Sequence, residues 1–367
     1  MVIIIISFVN MQLPDKNHYH ILGIMSGSSL DGVDFAFCEF KKTKNKWNYQ
    51  IIHAETIPYS AYWIDRLKSS SDLSGNDLIK THIEYGQFLG EISKEMINKH
   101  GFKPDTIASH GHTVFHEPDS GFTYQLGDGQ TLAIKSGQTV VCDFRSKDIS
   151  LGGQGAPLVP IGDEQLFGDY KACLNIGGIA NISYNSEGKR IAYDICPANQ
   201  LLNYLANQFG ELYDDEGRYA ESGTVIHDLL NKMNNDPFYL LNSPKSLSNQ
   251  YVSEKFLRIL KNSNDRIENK LRTTAEHIAN QITIAINNIN RGDILITGGG
   301  AYNSFLINLI KAGVSANVVI PNSKLIDFKE ALIFAFMGML RIRNEVNCLA
   351  SVTGAKSDSS GGIIFHP

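Results

Sequence analysis

Two short stretches of this 367-residue chain set glycine and hydroxyl groups between apolar runs: Ser26–Gly32, reading SGSSLDG, and Gly177–Gly178 in LNIGGIANIS. In tight turns of this make-up, backbone N–H groups converge on an anion and serine hydroxyls add donors, so phosphate oxygens can be held without lysine or arginine. A third run, Gly298–Gly300, follows the apolar DILIT and opens a helical pattern. Its bare backbone permits a close approach that side chains would block. Glycine and serine also suit hairpin turns for geometry alone; three such runs together point to a polyphosphate ligand. The chain contains no G-x-x-x-x-G-K-[ST] and no strand-following G-x-G-x-x-G, which excludes P-loop and dinucleotide sites.

A second candidate is SHGHTVFH. If extended, it turns His110 and His112 to one face, and H-x-H is a spacing that metal hydrolases use. No evident Asp/His set elsewhere completes such a site, so the metal reading stays incomplete.

The elements that must position these residues follow one grammar twice. ILGIM, VDFAFCEF and WNYQIIHAETI predict a three-stranded meander between Tyr19 and Ile57. Leu78, Tyr85, Phe88, Leu89, Ile92 and Ile97 recur at helical spacing from about Ser74 to His100. A strand TIASHGHTVF, the runs TLAIKSG and QTVVCDF, and the Gly/Pro-rich LGGQGAPLVP come next. Then KACLNIGGIANISYN and GKRIAYDIC read again as strand, glycine turn, strand, turn, strand. Helices are expected at LLNYLANQF, from about Ser253 to Asn290, at NSFLINLIKAG and at KEALIFAFMGMLRI, where Glu330 stands at the start. The pattern predicts a duplicated α/β fold with a cleft between its copies. Its boundaries are an extension at 1–18, a first domain at 19–145 that the segment 350–367 can rejoin, and a second at 146–349.

Composition narrows the partners. With 43% hydrophobic and 19% charged residues and a formal charge of −5, the chain has no electrostatic footprint for nucleic acid or an anionic membrane. Five scattered cysteines without a C-x-x-C pair suit a reducing cytoplasm. The opening MVIIIISFVN lacks a basic flank and a clear cleavage site, and falls short of the ~20 residues of a membrane span. It reads as an over-extended start, with Met11 the initiator, or as an added strand.

GIMSGSSLDGVD, IASHGHTVFH, QLGDGQTLA, VVCDFRSKDISLGGQGAPLVP, LNIGGIANIS, ITGGGAYN and SVTGA, in that order from Gly23 onward, resemble the anhydro-N-acetylmuramic acid kinases. The resemblance implies two ribonuclease-H-like domains of the actin, sugar kinase and heat-shock ATPase superfamily, clasping ATP with Mg2+. It implies hydrolytic opening of a 1,6-anhydro muramic acid sugar with phosphoryl transfer to the oxygen on carbon six, in cell-wall recycling by a cytoplasmic homodimer. The phosphate cradle would be Gly27, Ser28, Ser29, Leu30, Asp31, Gly32, Val33 and Asp34 with Gly177 and Gly178, and Gly298, Gly299 and Gly300 would hold the nucleoside side.

Asp194 in AYDICPANQ matches the family's base, an ionised carboxylate able to take a proton from water; a strand-ending Asp also serves as a cap or turn residue. His110 and Gly111 would line the sugar pocket, with Asn199 and Glu330 matching substrate positions. Arg145 offers a planar fork to the lactyl carboxylate, or else pairs with Asp143 or Asp148. Glu330 equally suits a helix N-terminus. Metal ligands are unknown at this level.

The chain departs from its family where Thr-Gly-Pro-Gly-Asn is usual and Ile195, Cys196, Pro197, Ala198 and Asn199 stand instead, and His112 replaces a usual Gln. Lost glycines restrict the backbone. This leaves as alternatives a kinase for another amino sugar or anhydrosugar, and a non-catalytic ligand-binding homologue. A chaperone-type ATPase is disfavoured, because no peptide-binding segment follows the second half.

Overall fold

The computed structural model describes residues 16–27, 29–289 and 292–367; the run MVIIIISFVN and Ser28 of the first glycine turn lie outside the described residues. Thirteen strands are described: β1 (His18–Ser26), β2 (Gly32–Thr43), β3 (Lys46–Pro58), β4 (Thr106–Ser109), β5 (His112–Glu117), β6 (Phe122–Leu126), β7 (Val140–Cys142), β8 (Ala172–Ile176), β9 (Ile179–Ser186), β10 (Lys189–Pro197), β11 (Asp293–Thr297), β12 (Asn317–Val319) and β13 (Ile363–Phe365).

Two compact units divide the chain. One holds the residues up to Ile161 together with Glu330–Pro367, and the other holds Gly162–Lys329. The first sheet runs β13-β7-β4-β1-β2-β3 and the second β10-β9-β8-β11-β12. In each, a meander of three antiparallel strands is extended by two parallel ones, β4 and β7 or β11 and β12. The shared order is third, second, first, fourth, fifth, so the chain is a duplicated ribonuclease-H-like α/β fold; β13 adds an antiparallel edge to the first copy.

The meanders form from runs rich in β-branched and aromatic residues, and their central strands β1, β2 and β8 are buried along most of their length. In the first unit Leu22, Ile24, Phe35, Tyr85, Leu89 and Ile107 form one core, and in the second Leu174, Ile182, Leu201, Phe256, Ile278 and Ile296 form another. The helix Gly75–His100 starts where the Ser74 side chain accepts from the Asp77 N–H and stops at Gly101 in the left-handed region. Gly23 on β1 permits a close helix contact: a Cβ there would lie 2.0 Å from the Ala331 carbonyl oxygen. All five cysteines are free and buried. No helix among the described residues is long and apolar enough to cross a membrane.

Two expectations change. TIASHGHTVF is two strands, broken at His110–Gly111, where Gly111 has φ +74°. His110 and His112 therefore do not share a strand face, and the H-x-H metal reading loses its geometry. The helical region 253–290 is interrupted between Lys261 and Ile267, at the turn-forming run Asn262–Asp265. The run Ser323–Ile342 is two helices meeting at Phe328, where the backbone leaves helical geometry, so Glu330 stands in the first turn of the second one, where the sequence places it.

Candidate active site

In the first unit, the turn joining β1 to β2 places Ser29 and Asp31 in solvent. Ser29 Oγ donates to Asp31 Oδ1 at 2.6 Å, and Leu30 takes φ +57°. Below the turn runs a polar chain: Ser26 Oγ meets the Tyr59 hydroxyl at 2.7 Å and His112 Nδ1 at 3.3 Å, and Tyr59 meets Tyr85 at 2.5 Å. Burial lowers the pKa of His112, so the imidazole is neutral. His112 thus supports the strand from which the turn springs. Asp34, on β2, accepts from Thr56 Oγ1 at 2.5 Å.

His110 and Arg145 act as a pair. His110 Nδ1 donates to the Gly111 carbonyl at 2.8 Å, which leaves Nε2 to accept from Arg145 Nη2 at 2.8 Å and Nε at 3.2 Å. Burial, aided by the Arg145 charge, drives the His110 pKa down to about 3, so it stays a neutral acceptor. Arg145 Nη1 donates to the Gly155 carbonyl at 2.6 Å. Burial brings Arg145 down to about 10, opposed by the carboxylate of Glu330, and it remains charged at neutral pH.

Neither Asp143 nor Asp148 takes the guanidinium. Asp143 accepts from Ser146, while Asp148 accepts from Gly155 N at 2.8 Å, Thr353 Oγ1 at 2.7 Å and Cys348 Sγ at 3.1 Å. Asp148 therefore ties LGGQG to SVTGA, a role the sequence reading missed. His110 and Gly111 also line a cavity of about 200 Å³ with Tyr124, Asp128 and Phe365; Arg145 and Glu330 are not in its lining.

In the second unit, Gly177 and Gly178 form the two-residue turn between β8 and β9, and their carbonyls accept from Ala198, Asn199 and Gln200 N–H at 2.8–3.2 Å. The turn thereby fixes the start of the helix Asn199–Ala206. Asn199 Nδ2 donates to the Ile176 carbonyl at 3.1 Å. Gly298, at φ +83°, lies so close that a Cβ would sit 2.6 Å from Asn175 Oδ1. Asn199, Gly299 and Gly300 line a cavity of about 540 Å³ with Tyr213, Asp215 and Tyr302; Gly177, Gly178 and Gly298 are not in its lining. The segment 213–216 was not singled out in the sequence; exposed Leu212 and Tyr213 are its one legible signal.

Asp194 is half-buried near the end of β10. A register shift between Asp194 and Cys196 marks a bulge, a device that re-aims a side chain. Its Oδ2 accepts from Leu247 N at 2.8 Å, and its own N–H donates to the Lys245 carbonyl at 2.9 Å. Burial raises its pKa against that one hydrogen bond, which makes it a stronger base than a surface aspartate.

The chain matches the family description "Anhydro-N-acetylmuramic acid kinase" over residues 19–367. It belongs to the anhydro-N-acetylmuramic acid kinase family. Among curated members, those of Pasteurella multocida (33% identical over 94% of this chain and 96% of that protein), Haemophilus influenzae (34%; 95% and 98%) and Shewanella baltica (35%; 94% and 97%) are similar to it. A ROK family glucokinase from Streptomyces griseus in complex with glucose and AMPPNP is a remoter structural match, 9% identical over 87% of this chain and 99% of that one, with a TM-score of 0.41.

Set against its family, the chain's altered run turns inward. Ile195, Cys196 and Ala198 are 3%, 0% and 0% exposed and belong to the second unit's core. Their side chains therefore exchange glycine flexibility for packing and add no bulk to a ligand surface. Near Glu330, sequence reasoning also missed a buried ion pair, Lys329 Nζ to Asp163 Oδ1 at 2.7 Å, with Arg190 3.9 Å from the same carboxylate.

Proposed function

We propose that this chain uses ATP to phosphorylate 1,6-anhydro-N-acetylmuramic acid on the carbon-six oxygen while water opens the anhydro ring, giving N-acetylmuramic acid 6-phosphate in cell-wall recycling. The observation that carries the reading is Asp194: a carboxylate held by a backbone N–H, made more basic by burial, at the position where the family motif has its base. Asp194 takes the proton from the water that attacks the anomeric carbon. As the bond to carbon one breaks, the freed oxygen on carbon six attacks the γ-phosphorus, and ADP leaves.

Gly27–Asp34 and Gly177–Gly178 take the phosphates, and the cavity beside Gly298–Gly300 takes the nucleoside, with Tyr213 and Tyr302 as aromatic walls and Asp215 as a hydroxyl acceptor. Asn199, whose amide is committed to Ile176, shapes the nucleoside cavity rather than the sugar subsite. His110 occupies the Nε–Nη2 edge of Arg145 and the Gly155 carbonyl takes one Nη1 hydrogen, so the lactyl carboxylate is met by the one N–H left on each of Nη1 and Nη2. Glu330 lies near enough to act on the Arg145 charge and serves the sugar side.

The donor set fits Mg2+: Asp31, exposed on the phosphate turn, is a hard oxygen ligand of the kind this ion takes alongside nucleotide phosphates. When bound, Mg2+ neutralises phosphate charge. The enzyme works in the cytoplasm as a homodimer, a state that light scattering tests.

The test is incubation with ATP, Mg2+ and the anhydro sugar, with mass spectrometry of the sugar product. A hexosamine 6-phosphate carrying the lactyl group supports the reading. ATP binding without that product, or faster turnover of another amino sugar, overturns it.

A further inference from the structure

β3 and the end of the helix Gly75–His100 assemble a second set of chemically capable groups, which the kinase reaction does not use. His53 and Glu55 are two residues apart on β3 and so project from one face, and His100 is the last residue of the helix. His53 Nε2 lies 3.4 Å and His100 Nε2 3.5 Å from Glu55 Oε1, and the three ligand atoms all fall within 4.8 Å of one another. Both Nε2 atoms are shielded from solvent and make no hydrogen bond. Two shielded nitrogens left unsatisfied beside one carboxylate are costly unless something sits among them.

The spacing fits a metal. A tetrahedral ion with ligands at about 2.0–2.1 Å has ligand-to-ligand edges of about 3.3 Å, close to both nitrogen–oxygen distances here. The rings are also held in place. The His53 and His100 centroids are 4.2 Å apart, His100 stacks on Phe102 at 5.0 Å, and Phe102 stacks on Phe37 at 4.1 Å. An apolar shell of this kind restricts solvent access to the ligands.

A neighbouring set, His18, His20 and Glu39, has comparable spacing but a different state. His18 Nε2 is already hydrogen-bonded to Glu39 at 2.8 Å, and Lys41 Nζ lies 2.9 Å from its other oxygen. Lys41 and His18 hold Glu39 below the usual carboxylate range. At Glu55 the nearest lysine, Lys99, is 3.8 Å away and largely exposed.

We propose that His53, Glu55 and His100 bind one divalent transition-metal ion of the borderline class that imidazole favours, Zn2+ being the type, with a fourth position left to water. The ion clamps the end of the helix to β3 and is separate from the Mg2+ of the reaction, which takes oxygen ligands.

The test uses full-length, chelator-treated protein titrated with Zn2+ alone by calorimetry, without nucleotide. One ion per chain is expected, with a Kd of about 1 µM or tighter and a rise in Tm, because the folded state alone presents the site. His53→Ala and His100→Ala should each weaken binding by about 100-fold and Glu55→Gln by about tenfold, as expected when a ligand is removed or neutralised. His18→Ala should change nothing. Co2+ should give the visible absorption of a tetrahedral site, lost in His100→Ala. Circular dichroism and kinase turnover like the parent protein's show that each variant is folded. No saturable binding, binding that survives both histidine variants, or binding lost only with His18→Ala overturns the proposal.

Discussion

The same hairpin occurs twice in this molecule, and the two copies are finished differently. Between β1 and β2 the described residues of the turn are Gly27, Ser29, Leu30 and Asp31, with a hydroxyl and a carboxylate in solvent and Leu30 at φ +57°. Among the described residues, a long hydrogen bond from Tyr59 N to the Asp31 carbonyl at 3.4 Å ties this turn to the chain beyond the hairpin. Between β8 and β9 only Gly177 and Gly178 turn, without side chains, and three N–H groups fasten their carbonyls to the next helix. The third strands diverge as well: β10 carries Asp194 near its end, where β3 closes with Thr56, Ile57 and Pro58. Duplication therefore supplies one scaffold twice, and the copies differ in what they add: exposed Ser29 and Asp31 on the turn of one, a two-glycine turn and the half-buried Asp194, the base of the proposed reaction, in the other.

The largest expected effect comes from removing the feature that only the second copy has. Asp194→Asn keeps an oxygen for Leu247 N–H but loses the base, so kcat should fall by about 10²–10⁴-fold with Tm nearly unchanged. A fall of less than about tenfold would move the base elsewhere. The pH profile follows with a definite sign. Asp194 works deprotonated, and burial raises its pKa. Log kcat/KM should therefore drop toward acid with a slope of about one below a pKa higher than that of an ordinary aspartate. His110, already neutral with a pKa near about 3, should add no limb between about pH 5 and 8.

Smaller effects separate the two units' roles. Arg145→Lys removes the fork that His110 fixes, so KM for the sugar should rise about tenfold while KM for ATP stays put. Steady-state kinetics with each substrate varied would show the split, and an equal rise in both would argue against a sugar-side role. The turns themselves differ in tolerance. Gly298→Ala forces a Cβ against Asn175 at φ +83° and should cost about 1–3 kcal/mol in chemical denaturation. Leu30→Gly in the first unit relieves a left-handed residue while adding chain entropy, and should stay within about 1 kcal/mol.

Much of this was legible in the sequence, for physical reasons that particular residues show. The meanders are readable because apolar, β-rich runs are separated by turn residues, and the duplication because LNIGGIANIS repeats the grammar of GIMSGSSLDGVD. Asp194 was reached through the motif around it, not from spacing. What stayed hidden depended on long-range partners: Arg145 docks on His110, 35 residues away in the chain, and Asp148 reaches Thr353 across 205. The break at Gly111 is hidden in the sequence because β-favouring TIAS and TVF flank it on both sides, and the left-handed backbone at Gly111 shows only in the structure. From sequence alone the run Ile195–Ala198 shows only that backbone freedom is lost; its burial shows that the changed side chains face the core.

Mass spectrometry of the sugar product formed from ATP, Mg2+ and 1,6-anhydro-N-acetylmuramic acid in oxygen-18 water tests the central claim most directly, with Asp194→Asn alongside and the reaction stopped before unlabelled product exchanges its anomeric oxygen. The account predicts one heavy oxygen on carbon one, none in the phosphoryl group, and loss of product in the variant. A heavy phosphate without sugar product, an unlabelled sugar phosphate, or undiminished product from Asp194→Asn would contradict it.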